Sequence, residues 1–377
     1  MDAMTTILPP ELFSPGELIF GRGCVVDLLK RGARFGQRAV IVHGRSLETT
    51  GKLKALIAAA PRELTISAWC ASGGEPTLEQ LRALLAFVRE QGAEWIAGIG
   101  GGTAMDLAKA CAALVKGDLA ERAYHDGAAF PAAGLPFLAA PTTAGSGSEA
   151  SMVSVLTNTA TGVKKSMRSA TMIARIVALD PALLEGSPPQ VIAHSGMDAL
   201  TQAVESYVSR KAVWLSEVLA LRAVELVNSS LEAVYADSAS PQAGDLLTGS
   251  YLAGYALAFS RLGVVHGLAH PLGCRYELPH GLVCGVCLPV ALRFNREVVG
   301  AKYDTLSRAV GGDLLVRVER LLARFGMLSP FAGRPVPDDA GIIGEILASG
   351  STAANPRPVS AEDARRLLRE LFAGPPV

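Results

Sequence analysis

The sequence predicts an α/β unit built on a parallel sheet over residues 1–187, followed by an all-α unit over residues 188–377. Three observations predict it. Short β-branched runs alternate with helical patterns in the first half, long amphipathic patterns fill the second, and Pro188-Pro189 punctuates the change. A chain of 377 residues is long enough to bury two separate cores.

In chain order, residues 38–43 read as strand, 53–60 as helix, 64–69 as strand and 78–91 as helix. Residues 95–99 follow as strand, 104–115 as helix and 136–140 as strand. Alternation of this kind gives a parallel sheet with helices on both faces. Ligands on such sheets bind beyond the carboxyl ends of the strands, here the loops after Val42, Ile99 and Ala140. Beyond Pro188 the patterns at 191–209, 215–234 and 246–259 are helical, with almost no strand signal. The active site is expected in the cleft between the halves. There is no internal repeat and no low-complexity stretch.

Composition excludes several partner classes. Half the residues are apolar, and the 39 glycines and 22 prolines are spread rather than clustered, as in an ordinary globular chain. Lys plus Arg equals Asp plus Glu at 35 each, so no global field draws nucleic acid or an anionic membrane. Met1-Asp2-Ala3-Met4 shows no basic segment before an apolar run, and residues 281–292 are too few to span a bilayer, so a cytoplasmic location is expected. Six cysteines are too sparse for a disulfide framework. Cys284 and Cys287 form a C-x-x-C without a second pair, inside an apolar run, and read as buried small hydrophobes.

Two loops carry phosphate-binding character. Gly98-Ile99-Gly100-Gly101-Gly102-Thr103-Ala104-Met105-Asp106 follows a strand and opens a helix, so its glycines let backbone approach a phosphate while amides of the helix N-terminus point at it. This is not the G-x-G-x-x-G fingerprint, and a glycine cluster also serves tight turns. A second loop, Pro141-Thr142-Thr143-Ala144-Gly145-Ser146-Gly147-Ser148-Glu149, offers Thr142, Thr143, Ser146 and Ser148 at the same sheet edge. Together they point to a dinucleotide. After Val42, His43-Gly44-Arg45-Ser46 lacks the acid that many NAD sites place on the ribose, so nothing repels a 2′-phosphate. Arg45 is then either its partner, which makes NADP accepted alongside NAD, or a solvated loop charge.

A metal constellation lies in the second half. Asp198 and Gln202 are four apart on one helical face, His266 and His270 repeat that spacing, and His280 follows Pro279 in a turn. Three histidines in fifteen residues, from six in the chain, are unusual for packing alone. One carboxylate and two imidazoles suit zinc or ferrous iron with positions open to substrate.

Gly196-Met197-Asp198-Ala199-Leu200, His266-Gly267-Leu268-Ala269-His270 and Leu278-Pro279-His280-Gly281, with the two loops, resemble the iron-containing (group III) alcohol dehydrogenase family. The likeness spans nearly the whole chain. It includes residues 14–23, Gly74-Glu75-Pro76-Thr77, Thr161-Gly162-Val163-Lys164 and Asn355-Pro356-Arg357-Pro358-Val359. The resemblance implies a Rossmann-like parallel-sheet domain and an all-α domain, the fold shared with dehydroquinate synthase. It implies hydride transfer between NAD(P)(H) and a small alcohol or carbonyl substrate, and a homodimer or larger homo-oligomer. It places Gly44, Arg45, Glu75, Gly100, Gly101, Gly102, Thr103, Asp106, Thr142, Thr143, Ser146, Ser148 and Lys164 at the cofactor.

In the family pattern an Asp and three His hold the metal; here those positions read Asp198, Gln202, His266 and His280. The first histidine is replaced. Related glycerol dehydrogenases lack it too and hold zinc with the remaining three ligands, which orders zinc ahead of iron here. Gln202 either lends its carbonyl oxygen or turns away. His194 is expected to support or pack, and His270 to relay the hydroxyl proton or contact substrate. Three other readings share these motifs: a maleylacetate reductase acting on an acidic keto substrate, a redox-neutral NAD and zinc cyclase of the dehydroquinate synthase type, and a non-catalytic binding homologue. The cyclase needs a basic pocket, for which only Arg261 and Arg275 lie nearby in sequence.

Overall fold

All four predicted strands form, and all pair in parallel. The computed structural model describes residues 6–373 apart from Ser72 and Asp338; Met1-Asp2-Ala3-Met4, read above for a targeting signal, lies outside the described residues. The strands are β1 Glu17–Phe20, β2 Arg38–Gly44, β3 Thr65–Ala71, β4 Trp95–Gly100, β5 Phe137–Pro141, β6 Val153–Asn158, β7 Val163–Arg168 and β8 Ile176–Leu179. Six make one parallel sheet in the order β1-β8-β5-β4-β2-β3, while β6 and β7 form a separate antiparallel pair. Sequence patterning did not name β1 and β8. Each has only four residues, too few for a periodicity to show.

The helices among these strands are α1 Cys24–Gly32, α2 Arg45–Thr49, α3 Lys52–Ala59, α4 Leu78–Glu90, α5 Gly102–Leu114 and α6 Glu121–His125. One sheet face, bearing Ala39, Ile41, Ala97, Ile99, Leu138, Ala140, Ile176 and Ala178, packs with Val25, Leu28 and Leu29 of α1, Leu47 of α2 and Leu56 of α3. The other face meets α5. A Cβ added at Gly98 would lie 3.1 Å from Ala108 Cβ and 3.2 Å from Met105 Sδ, so the bare glycine is what lets α5 lie this close to β4. Both faces are therefore covered, which is why β4, β5 and β8 are buried end to end.

The remaining helices are α7 Pro189–Val208, α8 Trp214–Ala236, α9 Ala243–Ser260, α10 Val264–Tyr276, α11 His280–Val299, α12 Ala301–Ala309, α13 Leu314–Arg324, α14 Ala340–Ala348 and α15 Ala361–Ala373. No single helix among the described residues is long and apolar enough to cross a membrane. By contacts the chain divides into two compact units. One is Phe13–Pro188 with Ser238–Tyr251; the other is Pro189–Asp237 with the described residues after Tyr251 and before Phe13. A single cut at 187/188 thus omits a short exchange, in which residues 238–251 join the sheet-bearing unit.

Beneath the loop that follows β5, Lys109 of α5 is fully buried. Its ammonium donates to the carbonyls of Ser148, Ser151 (3.1 Å) and Val153 (2.8 Å), using all three of its N–H groups. Burial lowers its pKa to about 8, against the pull of Asp106 and Glu149. Glu149 is also buried, its Oε1 has no hydrogen-bond partner among the described residues, and burial raises its pKa to about 7.

From about 4.5 to about 7 the folded chain holds the Glu149 proton more tightly than the unfolded chain, so stability falls as pH rises through that window. Glu149→Gln should remove this slope and leave the protein on the order of 2 kcal/mol more stable than the parent above pH 7. Urea unfolding at pH 5 and pH 8 measures it, and parallel slopes in parent and variant would refute it.

Candidate functional site

Asp198, Gln202 and Glu205 occupy one face of α7, and all three side chains are at least nine-tenths buried. Glycines let neighbouring segments pack closely around α7 and α11. An added Cβ at Gly281 would stand 2.1 Å from the His194 carbonyl oxygen, one at Gly196 2.2 Å from Leu231, and one at Gly285 2.7 Å from Met327 Cε. The start of α11 therefore lies directly on α7, and His280, the first residue of α11 after Pro279, arrives beside Asp198.

α10 is anchored from two directions. The Val264 amide donates to Asn355 Oδ1 at 3.1 Å and the Val265 amide to Glu205 Oε1 at 2.7 Å, so two orphan N–H groups of the helix N-terminus are capped by side chains. Asn355 also exchanges hydrogen bonds with Asn295 of α11, at 3.1 and 2.8 Å. This gives Asn355 a physical role, since it ties the start of α10, two residues before His266, to the later part of α11.

The donor atoms meet. Asp198 Oδ1 lies 3.5 Å from His266 Nε2 and 3.8 Å from His280 Nε2, without a hydrogen bond among the described residues. Cys284, one turn after His280 on α11, places Sγ 3.5 Å from His280 Nε2 and 3.7 Å from His266 Nε2. The four donors of Asp198, His266, His280 and Cys284 all lie within 4.8 Å of one another. Glu205 Oε2 accepts from His266 Nδ1 at 2.6 Å, which keeps a proton on Nδ1 and makes Nε2 the nitrogen that a cation would claim.

Charge follows from this packing. Burial would lift the Asp198 carboxyl, yet contacts with His266, His280 and Gln202 hold it below the usual carboxylate range. Burial works against a charge on His266, but Cys284, Asp198 and Glu205 outweigh it and raise that imidazole well above its ordinary value. Burial raises the Cys284 thiol to about 12. A carboxylate oxygen without a hydrogen bond, facing two imidazole nitrogens and a thiol in a buried space, is the donor chemistry of a divalent cation.

Around this cluster, Gln202 turns its amide toward Asp198, and its Oε1 has no hydrogen-bond partner among the described residues. The His270 ring stacks on His280 with centroids 5.3 Å apart and is partly exposed. His194 sits one turn before Asp198, half-buried, its carbonyl against Gly281. Arg275 is engaged by Asp339 at 2.5 Å.

The predicted phosphate loops also come together within their own unit. Thr142 N donates to Gly100 O at 3.0 Å, and added Cβ atoms at Gly101 and Gly102 would each stand 3.3 Å from a hydroxyl, Thr143 Oγ1 and Ser146 Oγ respectively. At Gly100 a Cβ would stand 3.0 Å from Gly44 N. Thr103 Oγ1 donates to Gly74 O at 2.6 Å, and Lys164 pairs with Glu75 at 2.8 Å. Asp106 accepts from Ser148 Oγ and from Val155 N at 2.8 Å, which clamps the second loop to α5. Arg45 is exposed as the first residue of α2.

Comparison with known proteins agrees with this geometry. Residues 15–181 match the family description "iron-containing alcohol dehydrogenase" and residues 192–372 match "Fe-containing alcohol dehydrogenase family, C-terminal". The chain belongs to the iron-containing alcohol dehydrogenase family. It is similar to long-chain-alcohol dehydrogenase 1 of Geobacillus thermodenitrificans, at 34% identity over 80% of each chain. It is similar to the lactaldehyde reductase of Escherichia coli, at 32% identity over 78% of this chain and 77% of that one. Among solved structures it resembles sulfoacetaldehyde reductase from Bifidobacterium kashiwanohense in complex with NAD+, with TM-score 0.89, 26% identity, and 96% and 98% of the two chains covered. The protein is a metal-dependent oxidoreductase of the alcohol and carbonyl class, and its two-part fold is that of the family.

Sequence reasoning missed Glu205 and read Cys284 and Cys287 as buried small hydrophobes; both are buried, and Cys284 in addition turns its sulfur to His266 and His280. Both signals were present. Glu205 lies seven after Asp198, and Cys284 repeats the four-residue spacing of the other site pairs.

In Glu205→Gln an amide N–H2 can face His266 Nδ1, favouring the tautomer protonated on Nε2. Metal affinity should fall about 10- to 100-fold, with little change in the melting of the metal-free protein. Chelator competition measures it; an unchanged affinity would remove the proposed clamp.

Proposed function

We propose that this chain interconverts a small alcohol with its aldehyde or ketone, using NAD(H), with NADP(H) also accepted, and one divalent ion held by Asp198, His266 and His280. The observation that carries the reading is the unbonded, buried Asp198 Oδ1 facing both imidazole nitrogens. When bound, the ion would supply Lewis acidity toward the substrate oxygen and the dinucleotide would supply the hydride chemistry.

The protein does the rest. Glu205 fixes the His266 tautomer and Gln202 steadies Asp198. His270, partly exposed and stacked on His280, carries the hydroxyl proton toward solvent. Gly100, Gly101 and Gly102, with Thr103, Thr142, Thr143 and Ser146, receive the pyrophosphate at the start of α5, where glycines leave room and helix amides point outward. Asp106 and Ser148 keep the two loops in register, because a carboxylate is a poor direct neighbour for phosphate. Lys164, paired with Glu75, and Gly44 complete the cofactor contacts. Arg45 would face the 2′ substituent of the adenosine ribose; β2 itself ends on His43-Gly44 without an acid, and the nearby Glu48 of α2 is turned to His43 at 3.6 Å.

Support for NAD comes from the sulfoacetaldehyde reductase solved with NAD+, and support for an alcohol or aldehyde substrate from the relatives' names. A phosphate-directed cyclase is disfavoured because Asp339 already occupies Arg275. Six free thiols fit a reducing compartment, the cytoplasm.

The direct test follows NADH and NADPH consumption with aldehydes, ketones and keto acids on metal-loaded protein. Net cofactor oxidation is expected, and none with any carbonyl would overturn the reading. His270→Ala should lower turnover about 100-fold or more at unchanged metal content. Unaltered turnover would exclude the relay. Arg45→Ala should raise the KM for NADPH about tenfold and leave that for NADH nearly constant, as expected for losing one charge-assisted contact. Equal effects on both cofactors would count against 2′-phosphate recognition.

A further inference from the structure

Cys284 is not explained by packing. Its neighbour Cys287 is equally buried, but only Cys284 turns its sulfur onto two imidazole nitrogens. Tetrahedral zinc, with Zn–S about 2.3 Å and Zn–N or Zn–O about 2.0–2.1 Å, separates sulfur from nitrogen by about 3.6 Å and two lighter donors by about 3.4 Å. The observed edges are 3.5 and 3.7 Å for sulfur to nitrogen, and 3.5 and 3.8 Å for Asp198 oxygen to nitrogen. Those are four of the six edges of one tetrahedron, and the other two are no longer than 4.8 Å.

Two further observations point the same way. Asp198 Oδ1 is buried, lacks a hydrogen bond among the described residues, and faces the same space as the sulfur. Gln202, at the family's first histidine position, turns its amide to Asp198, so the nitrogen donor missing there is not restored from α7. We infer that Cys284 is a fourth protein donor, forming an Asp198, His266, His280 and Cys284 set that selects zinc over ferrous iron. The inference rests on the metal centre proposed above and adds its donor and its preference.

The chemistry is consistent. A coordinating thiol gives up its proton to solvent on binding, and a soft thiolate suits zinc better than a site of oxygen and nitrogen alone. Catalytic zinc can expand to five donors, so four protein donors here would still leave room for a substrate oxygen.

Cobalt(II) substitution in the full chain tests the assignment, because thiolate-to-cobalt charge transfer gives an intense near-ultraviolet band that carboxylate and imidazole do not produce. The parent should bind one cobalt and show the band. Cys284→Ala and Cys284→Ser should lose it and bind zinc at least about tenfold more weakly in chelator competition, while Cys287→Ala keeps both properties. One bound cobalt without the band, or a band that survives in both Cys284 variants, overturns the role of Cys284 and leaves the three-donor centre intact. Failure of the parent to bind either zinc or cobalt overturns the centre itself. Circular dichroism confirms that each variant is folded, and the serine variant preserves the side-chain volume should alanine perturb packing.

Discussion

The second unit is organised around a buried carboxylate that needs a positive partner. Asp198 is removed from water, and one of its oxygens is given no hydrogen bond among the described residues. Leaving such a group uncompensated costs several kcal/mol, more than most single packing contacts contribute. The surrounding structure is built to make the compensation available. Gly196 and Gly281 let α7 meet α8 and α11 without an intervening side chain, while Glu205 and Asn355 hold the start of α10 so that His266 reaches the same point. Stability and chemistry are coupled here, since the glycines that close the helices together also set the distances between donors.

The first unit solves a different problem with related means. A phosphate site needs exposed backbone amides in fixed positions, and loops are ordinarily the most mobile part of a fold. The second loop is instead fastened from below by the Lys109 ammonium on three carbonyls and by Asp106 on Ser148 and Val155. Burying an ammonium and a carboxylate costs desolvation energy, offset because the lysine satisfies every donor it has. Rigidity of the loop is thus supplied by polar groups beneath it, and its upper surface is left to glycines and hydroxyls.

Much of this was legible in the sequence. Strands such as 95–99 announce themselves because both faces are buried and the run is uniformly apolar, and α5 because it follows a glycine turn. β1 and β8 were not legible, since four-residue strands gain their identity from pairing with each other and with β5, a non-local contact. In the site, Asp198, His266 and His280 were visible because histidine is rare in this chain and family motifs frame them. Glu205 and Cys284 were not, for a physical reason. An acid inside a helix normally faces solvent and a cysteine in an apolar run normally packs, so each residue's meaning depended on which helix lay opposite.

That dependence shows how chemistry can drift on a constant scaffold. A structure only 26% identical superposes with TM-score 0.89, so helix positions tolerate wide replacement of side chains. A donor at any position facing the common point can therefore stand in for a lost one. Residue 202 on α7 and residue 284 on α11 are two such positions, one carrying an amide and the other a thiol. In the proposed centre, a carboxylate and a thiolate opposite two neutral imidazoles would bring two negative charges to a divalent ion, where three imidazoles and one carboxylate would bring one. Such a donor set would hold a divalent ion more firmly in a buried place and leave it a weaker polariser of a carbonyl, so more of the catalytic work would fall to proton handling at the proposed relay, His270, and to alignment of the dinucleotide.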